Sequence, residues 1–414
     1  MSHALIKRPR LFYEDRLTTR ATHHHALFPY FDDGDVIIQL HDGENIWTLR
    51  LHRRTLEERS RPIILLLSEE GHYQGGPEGF AFHLTLAPPR GDDPIAALTM
   101  RRRELVKTNP DVCLAYRSFF ANLYQQSLLI SSSNVLRAQY QAEILVHIAK
   151  RYGTLEGLRP YLDTHFTSFH VELFQQICLN PARWLSLAQD MRSEVMFKEA
   201  LVHLIGMYPK HTAWKYTEQN LRPEVLKVIR TKGDQMQHQI SLCINELFTI
   251  TLPANISATG KVPAMTLNFQ SIERWTVVHL HRDWLANELR RIKAFDELRG
   301  PQPSATGVRP RPLETARPVG IGMLFRAIVT GDYLPWKGVQ ESLTGAFDSI
   351  PLEKFAGLEK DLRFLKRQAK QVITRMGLAK KNLILDEETA KQLTYLVCAE
   401  VGEEDCFWKS KKKE

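Results

Sequence analysis

Asp35-Val36-Ile37-Ile38-Gln39-Leu40-His41-Asp42-Gly43-Glu44-Asn45-Ile46-Trp47-Thr48-Leu49-Arg50-Leu51-His52-Arg53-Arg54-Thr55-Leu56-Glu57-Glu58-Arg59-Ser60 is the stretch that decides the fold. Residues 35–40 read as a short strand. Residues 41–45 are polar and include Gly43, which tolerates positive φ, so they read as a turn. Residues 47–51 alternate apolar and polar, the mark of a strand with one buried face. The two runs and their loop predict a β-hairpin. The period then changes: Leu56 and the residues to Ser60 suit a helix, which Pro62 interrupts.

Outward from this stretch, residues 63–67 read as a short buried helix or strand, residues 71–79 as a Gly-rich loop, and residues 80–86 as a third strand ended by Pro88-Pro89. Helices follow. Asn134 suits an N-cap, Leu136, Tyr140, Ile144 and Ile148 form a stripe at helical spacing, and Gly153 suits a stop. Ser193 suits the cap of a helix carrying Phe197, Leu201, Leu204, Ile205 and Tyr208, ended by Pro209. Leu242 to Phe248 and Ile272 to Leu289 continue the helical pattern. In Phe355, Leu358, Leu362, Leu365, Ala369, Val372 and Met376 the steps alternate three and four, a heptad seam. Phe364 and Ile373 widen it, which favours a helix packed on its own domain over a coiled coil.

The chain has 414 residues, 43% apolar and 25% charged, which excludes a largely disordered protein. Its 55 basic and 47 acidic residues give a net charge of +8. Basic and acidic residues balance over 1–110, and the excess is spread thinly over the remainder. The local runs, Arg101-Arg102-Arg103 and the tail lysines 409 and 411–413, lack the clustering on one face that nucleic-acid binding needs. The tail also matches a weak nuclear-import signal, which keeps a chromatin-associated or transcription-related factor as the alternative function. Five widely spaced cysteines exclude a disulfide scaffold and fit a reducing compartment, so a cytoplasmic or nuclear location is expected. No apolar run approaches a membrane span, and no secretory signal is visible, so no membrane partner is expected.

The apolar-x-apolar-His-basic-x-x-Leu-x-x-x-Ser pattern, read here as Leu49-Arg50-Leu51-His52-Arg53-Arg54-Thr55-Leu56 and then Ser60, behind a strand opened by Asp35-Val36, resembles the BTB/POZ family. Phe119 to Tyr124 resembles the helix before the family's short loop, and residues 142–152 and 155–166 its final helix pair. Two aromatics usual after the serine are replaced by Pro62-Ile63, and residues 68–79 and 88–111 look like insertions. Phe166 to Tyr208 and the segments 395–398 and 405–408 are similar to fungal BTB-domain proteins. The resemblance implies an α+β fold, with a BTB/POZ-like domain over 27–166 after a flexible leader over 1–26. A helical domain over 167–298, a Pro-rich linker over 299–318 and a helical C-terminal domain over 319–414 complete the expected organisation. It further implies a non-enzymatic protein that self-associates as a homodimer or docks protein partners, including cullin scaffolds of ubiquitin ligases. Asp35, Val36, His52 and Arg53 are the interaction residues it implies, with Asp35 and Arg53 matching the charged pocket of the family's dimer interface.

No catalytic, cofactor or metal site is expected. His281-Arg282-Asp283 looks like a kinase catalytic loop, but Asn287 is misplaced by one residue and no upstream phosphate loop is present, so an exposed helix face opposite Trp275 and Trp284 is expected. His279 and His281 diverge on a helix. Gly320-Ile321-Gly322 is half a dinucleotide fingerprint. Cys398 and Cys406 are expected as free thiols.

Overall fold

The computed structural model describes residues 22–23, 31–69, 82–89, 91, 93–100, 105–208, 221–253, 271–299, 319–347 and 350–410. Most of the leader, the Gly-rich loop, Pro209, nearly all of the Pro-rich linker and the last lysines lie outside them. The fold is mixed α+β. The chain divides into two compact units, residues 1–176 with 189–193, and residues 177–188 with 194–414.

The first unit is built on a sheet of order β1-β3-β2-β4-β5. Strands β2 (Val36–His41) and β3 (Ile46–Leu51) form the expected antiparallel hairpin, in the register Val36 to Leu51 and Leu40 to Trp47. The turn is held by Asp42, whose Oδ1 accepts the N–H groups of Glu44 and Asn45. A two-residue β1 (Thr22–His23) runs parallel to β3. Helices α1 (Arg53–Arg59) and α2 (Arg61–Glu69) return the chain to β4 (Phe82–Ala87), which pairs parallel with β2. Pro62 falls in the first turn of α2, where its missing N–H costs nothing. Period-two alternation puts Val36, Ile38, Leu40, Leu49 and Leu51 on one face, all buried, with Leu56 of α1 and Ile63 and Leu67 of α2 in the same core.

Residues 88–111 differ from expectation. They contain a fourth full strand, β5 (Ala97–Met100), antiparallel to β4. Four residues of alternation are too few to stand out against the surrounding polar sequence. The free edge of β5 is closed by side chains from the helices that follow. These are α3 (Pro110–Leu123), capped by Asn109, α4 (Val135–Arg151) and α5 (Leu155–Thr167). Tyr152 Oη accepts the Leu98 N–H at 2.8 Å, the Tyr116 hydroxyl donates to the Ala96 carbonyl at 2.7 Å, and Arg151 donates to the carbonyls of Ile95 and Ala96. An edge closed in this way offers few groups for a further strand.

Asn134 caps α4 through the Arg137 N–H, and Gly153 follows with φ +69°, both as expected. The second half of the expected stripe, Ile144 and Ile148, is buried. Leu136 and Tyr140 are exposed, and the buried face runs through Ala138, Ala142, Leu145 and Ala149. Alanines carry little weight in a hydropathy pattern, yet they let α3 and α4 approach closely, since α3 contributes Ala115 and Ala121 to the core.

Helices α6 (Val171–Leu179) and α7 (Pro181–Met191) straddle the division between the units. The second unit continues with α8 (Glu194–Met207), α9 (Pro223–Thr249), α10 (Ile272–Arg299), α11 (Ile321–Thr330), α12 (Trp336–Ala346) and α13 (Leu352–Arg375). Ser193 precedes α8, but its buried hydroxyl has no partner, so it does not cap the helix as expected. The heptad seam of α13 is spent inside the chain: Leu358, Leu362 and Leu365 pack with Val277 and Val278 of α10 and Val339 and Leu343 of α12. His281 corrects another expectation. It is 2% exposed, with Nε2 3.2 Å from the Tyr333 hydroxyl, and Trp284 stacks on the same tyrosine. Asp283 is the exposed member of the triplet.

The C-terminal segment, with short helices α14 (Glu387–Lys391) and α15 (Phe407–Ser410), is threaded among these helices. One face of α8 grips it. Glu199, fully buried, accepts the N–H groups of Ile384 and Leu385, and His203 Nδ1 lies 2.8 Å from the Tyr395 hydroxyl. A Cβ on Gly206 would stand 2.1 Å from the Leu396 carbonyl oxygen, and one on Gly322 equally close to that of Tyr395. The Gly320-Ile321-Gly322 run therefore makes room for the chain's own backbone, and the Gly322 N–H donates to the Thr394 carbonyl.

Gly206→Ala and Gly322→Ala are each expected to destabilise the second unit by about 1–3 kcal/mol or more through overpacking, read as lowered urea midpoints of the full chain. Burial pushes the pKa of His203 and of His281 down to about 4. Both are neutral when folded, and the unfolded state takes up their protons below about pH 6.5. Stability is therefore full above that pH and is lost as pH falls towards 4, on the order of 3 kcal/mol per histidine. The His203→Gln, His281→Gln double variant should show a flatter fall of unfolding midpoint between pH 7 and 4.5 than the parent.

Candidate functional site: the strand-to-helix junction of the first unit

The residues implied by the family resemblance meet where β3 passes into α1. Val36 is fully buried and paired with Leu51, so it is a core residue that positions its neighbours. Gly34 lies flat against the same strand; a Cβ there would be 2.9 Å from the Leu51 carbonyl oxygen. This close approach presents Asp35 to the end of α1, where its Oδ1 accepts the Arg53 N–H at 2.7 Å. The exposed Asp35 carboxylate thus satisfies one of the orphan donors of the first helical turn, with a charge suited to the positive end of the dipole.

His52 precedes α1 with extended backbone and makes no side-chain bond to the helix end. The helix-end N–H of Arg53 is met by Asp35 and not by the adjacent imidazole. The His52 ring instead has Nε2 3.2 Å from Asp33 Oδ1 and packs on Phe31. Its backbone N–H donates to the Tyr124 hydroxyl at 2.8 Å, and Tyr124 stacks on Phe31 with centroids 4.9 Å apart. Tyr124 follows α3, so this aromatic group ties the junction to the helix behind it. Desolvation raises the phenol's pKa, which leaves it a neutral hydrogen-bonding group.

The side chains of Asp35 and Arg53 are not paired with each other. The Arg53 guanidinium donates to Glu57 one turn along α1 and lies over the Phe82 ring, 4.8 Å from its centroid. Both charged groups remain on the half-exposed side of the junction. At the far end of α1, Ser60 is 2% exposed, and its hydroxyl donates to the Tyr152 carbonyl at 2.7 Å. The motif serine therefore locks the α1–α2 corner to the end of α4.

The remaining polar clusters have structural tasks. Asp93 holds both His147, at 3.1 Å, and Arg151, next to the closed edge of β5. Burial raises the thiol pKa of Cys113 and Cys398 to about 11 and of Cys243 to about 12, so these cysteines are inert thiols at neutral pH. All five cysteines are free, Cys398 and Cys406 included. Among the described residues no group of three His, Cys, Asp or Glu side chains could hold a metal ion. Of the basic tail, Lys409 is committed to ion pairs with Glu194 and Glu403. Among the described residues no helix is long and apolar enough to cross a membrane.

Sequence reasoning missed Phe31, Asp33 and Tyr124, which complete the junction from outside the motif. An aromatic one residue past a buried helix was the available signal for Tyr124. No family model, no curated protein and no solved structure matches the chain.

Ser60→Ala should cost about 1–3 kcal/mol, because it strands a buried acceptor. Asp35→Ala should cost about 1 kcal/mol as a lost helix cap, and Asp35→Asn less because an acceptor is kept. Denaturant unfolding of the three variants checks the order.

Proposed function

We propose that the first unit is a BTB/POZ-like interaction module and that the protein is a non-enzymatic adaptor, acting in the cytoplasm or nucleus by self-association or by docking protein partners such as a cullin scaffold. The observation that carries this reading is the set of tasks found for the motif. Asp35 seats the start of α1, Leu56 fills the core beneath the hairpin, and Ser60 bonds the carbonyl of Tyr152. The order of elements supports it as well: a hairpin, two short helices, a strand returning parallel to the first, then a helix and a final helix pair. The free state of the cysteines fits a reducing compartment.

In this reading Asp35 and Arg53 serve a partner surface through their side chains. Neither charge is neutralised by the other within the chain, and an Asp35 to Arg53 contact across two copies would be a paired, desolvated interaction. Arg53 is partly held by Glu57 and Phe82, so its fork is already ordered before a partner arrives.

Light scattering of the full chain at tens of micromolar is expected to give a dimer mass. Arg53→Glu, which puts like charges opposite each other, is expected to weaken the dimer at least tenfold. A strict monomer at high micromolar concentration removes self-association. Affinity capture from the native cell that recovers neither a cullin nor a second copy removes the adaptor reading as well.

A further inference from the structure

Arg117 sits in the middle of α3, 6% exposed, between the core aromatics Tyr116 and Phe119. Its guanidinium lies over the indole of Trp47, 3.8 Å from the ring centroid. Trp47 is on the core-facing side of β3, and its indole N–H donates to Asp42 at 2.6 Å. The platform is therefore fixed before anything binds to it. Asp42 itself is spent: it also accepts two backbone N–H groups of the hairpin turn.

Among the described residues no acceptor meets the Arg117 guanidinium. Its Nε is enclosed and without a hydrogen-bond partner. Arg282 and Arg326 also have an enclosed Nε without a partner, but their terminal nitrogens donate to the carbonyls of Ile250 and Leu393, while Arg151 holds Asp93 and two carbonyls and Arg274 both oxygens of Asp361. Arg117 is stacked, oriented and, among the described residues, lacking a counter-charge. Burial lowers its pKa to about 10, so it is still a cation at neutral pH. A buried charge of this kind is costly to keep. The stacked fork leaves two parallel N–H donors for a planar, two-oxygen acceptor. One positive charge balances a carboxylate and leaves the second charge of a phosphate uncompensated.

We propose that Arg117 on its Trp47 platform is a binding site for a carboxylate presented by an acidic polypeptide segment. The site is made by α3 and the hairpin and does not depend on self-association or on the Asp35 to Arg53 surface. A glutamate or aspartate side chain, or a chain terminus, has the reach to meet the edge of the fork and form two charge-assisted hydrogen bonds.

Calorimetric titration of the full chain with a capped hexaglutamate peptide at low ionic strength tests this. Saturable binding is expected, at least tenfold weaker in Arg117→Lys, which keeps the charge and loses the fork, and abolished in Arg117→Met. Lys360→Gln, an exposed cation on α13, should bind as the parent does. Arg117→Met is also expected to raise the melting temperature of the free protein, because an apolar side chain of similar length replaces an uncompensated charge. A lowered melting temperature or a failure to fold marks Arg117 as a structural stacking residue and overturns the proposal. Undiminished binding in Arg117→Lys and Arg117→Met, or the absence of saturable binding in the parent, overturns it too. Displacement of the peptide by acetate or inorganic phosphate at equal molar concentration overturns the assignment to a polypeptide.

Discussion

The first unit depends on one apolar surface, the face of the β2–β3 hairpin that carries Val36, Ile38, Leu40, Leu49 and Leu51. The two-residue period leaves no choice of register, because a slip by one residue would turn all five side chains away from the core. Once that face is covered by Leu56, Ile63 and Leu67, the direction of α1 is set and the end of β3 becomes a corner. The candidate interaction residues lie at that corner. Asp35 is one step from Val36, and His52 and Arg53 follow Leu51, so burying the neighbours determines where the polar groups stand.

Polar contacts then lock what the apolar surface positions. Ser60 bonds the Tyr152 carbonyl, and the Tyr152 hydroxyl accepts the Leu98 N–H at the open edge of the sheet. A single tyrosine thereby links the α1 corner, the end of α4 and β5. The second unit uses the same device on a different element. Its C-terminal segment has little regular structure, and its backbone donors are met by Glu199 on α8 and its carbonyls by Arg326 and Gly322. Buried carboxylate and imidazole on one helix face are expensive groups, and they are tolerated because each has a partner in the segment they hold.

Burial keeps His203, His281, Tyr116, Tyr333 and Tyr395 neutral, and the buried thiols are shifted away from reactivity. Asp35 and Arg53 keep their charges on the half-exposed side of the junction, and the sheltered Arg117 guanidinium lies over Trp47. Each is oriented by the fold before any partner is present, which lowers the ordering cost of association.

The sequence by itself determined the hairpin, the α1 helix, the Asn134 cap, the Gly153 stop and the seam of α13, because each depends on local period or on backbone chemistry a few residues long. It did not show β5, whose four residues become a strand only because β4 offers them an edge. It placed Ile144 and Ile148 of α4 in the core but also Leu136 and Tyr140, which are left outside where alanines face inward because α3 comes close. It put His281 on the surface, and Tyr333, 52 residues later in the chain, draws it into the core. Tertiary structure likewise decided the tasks of the junction: an exposed aspartate caps the helix, while the adjacent imidazole turns to Phe31 and Asp33. Local pattern specifies which face of an element is apolar, and only the packing partner decides which polar group can reach a given backbone donor.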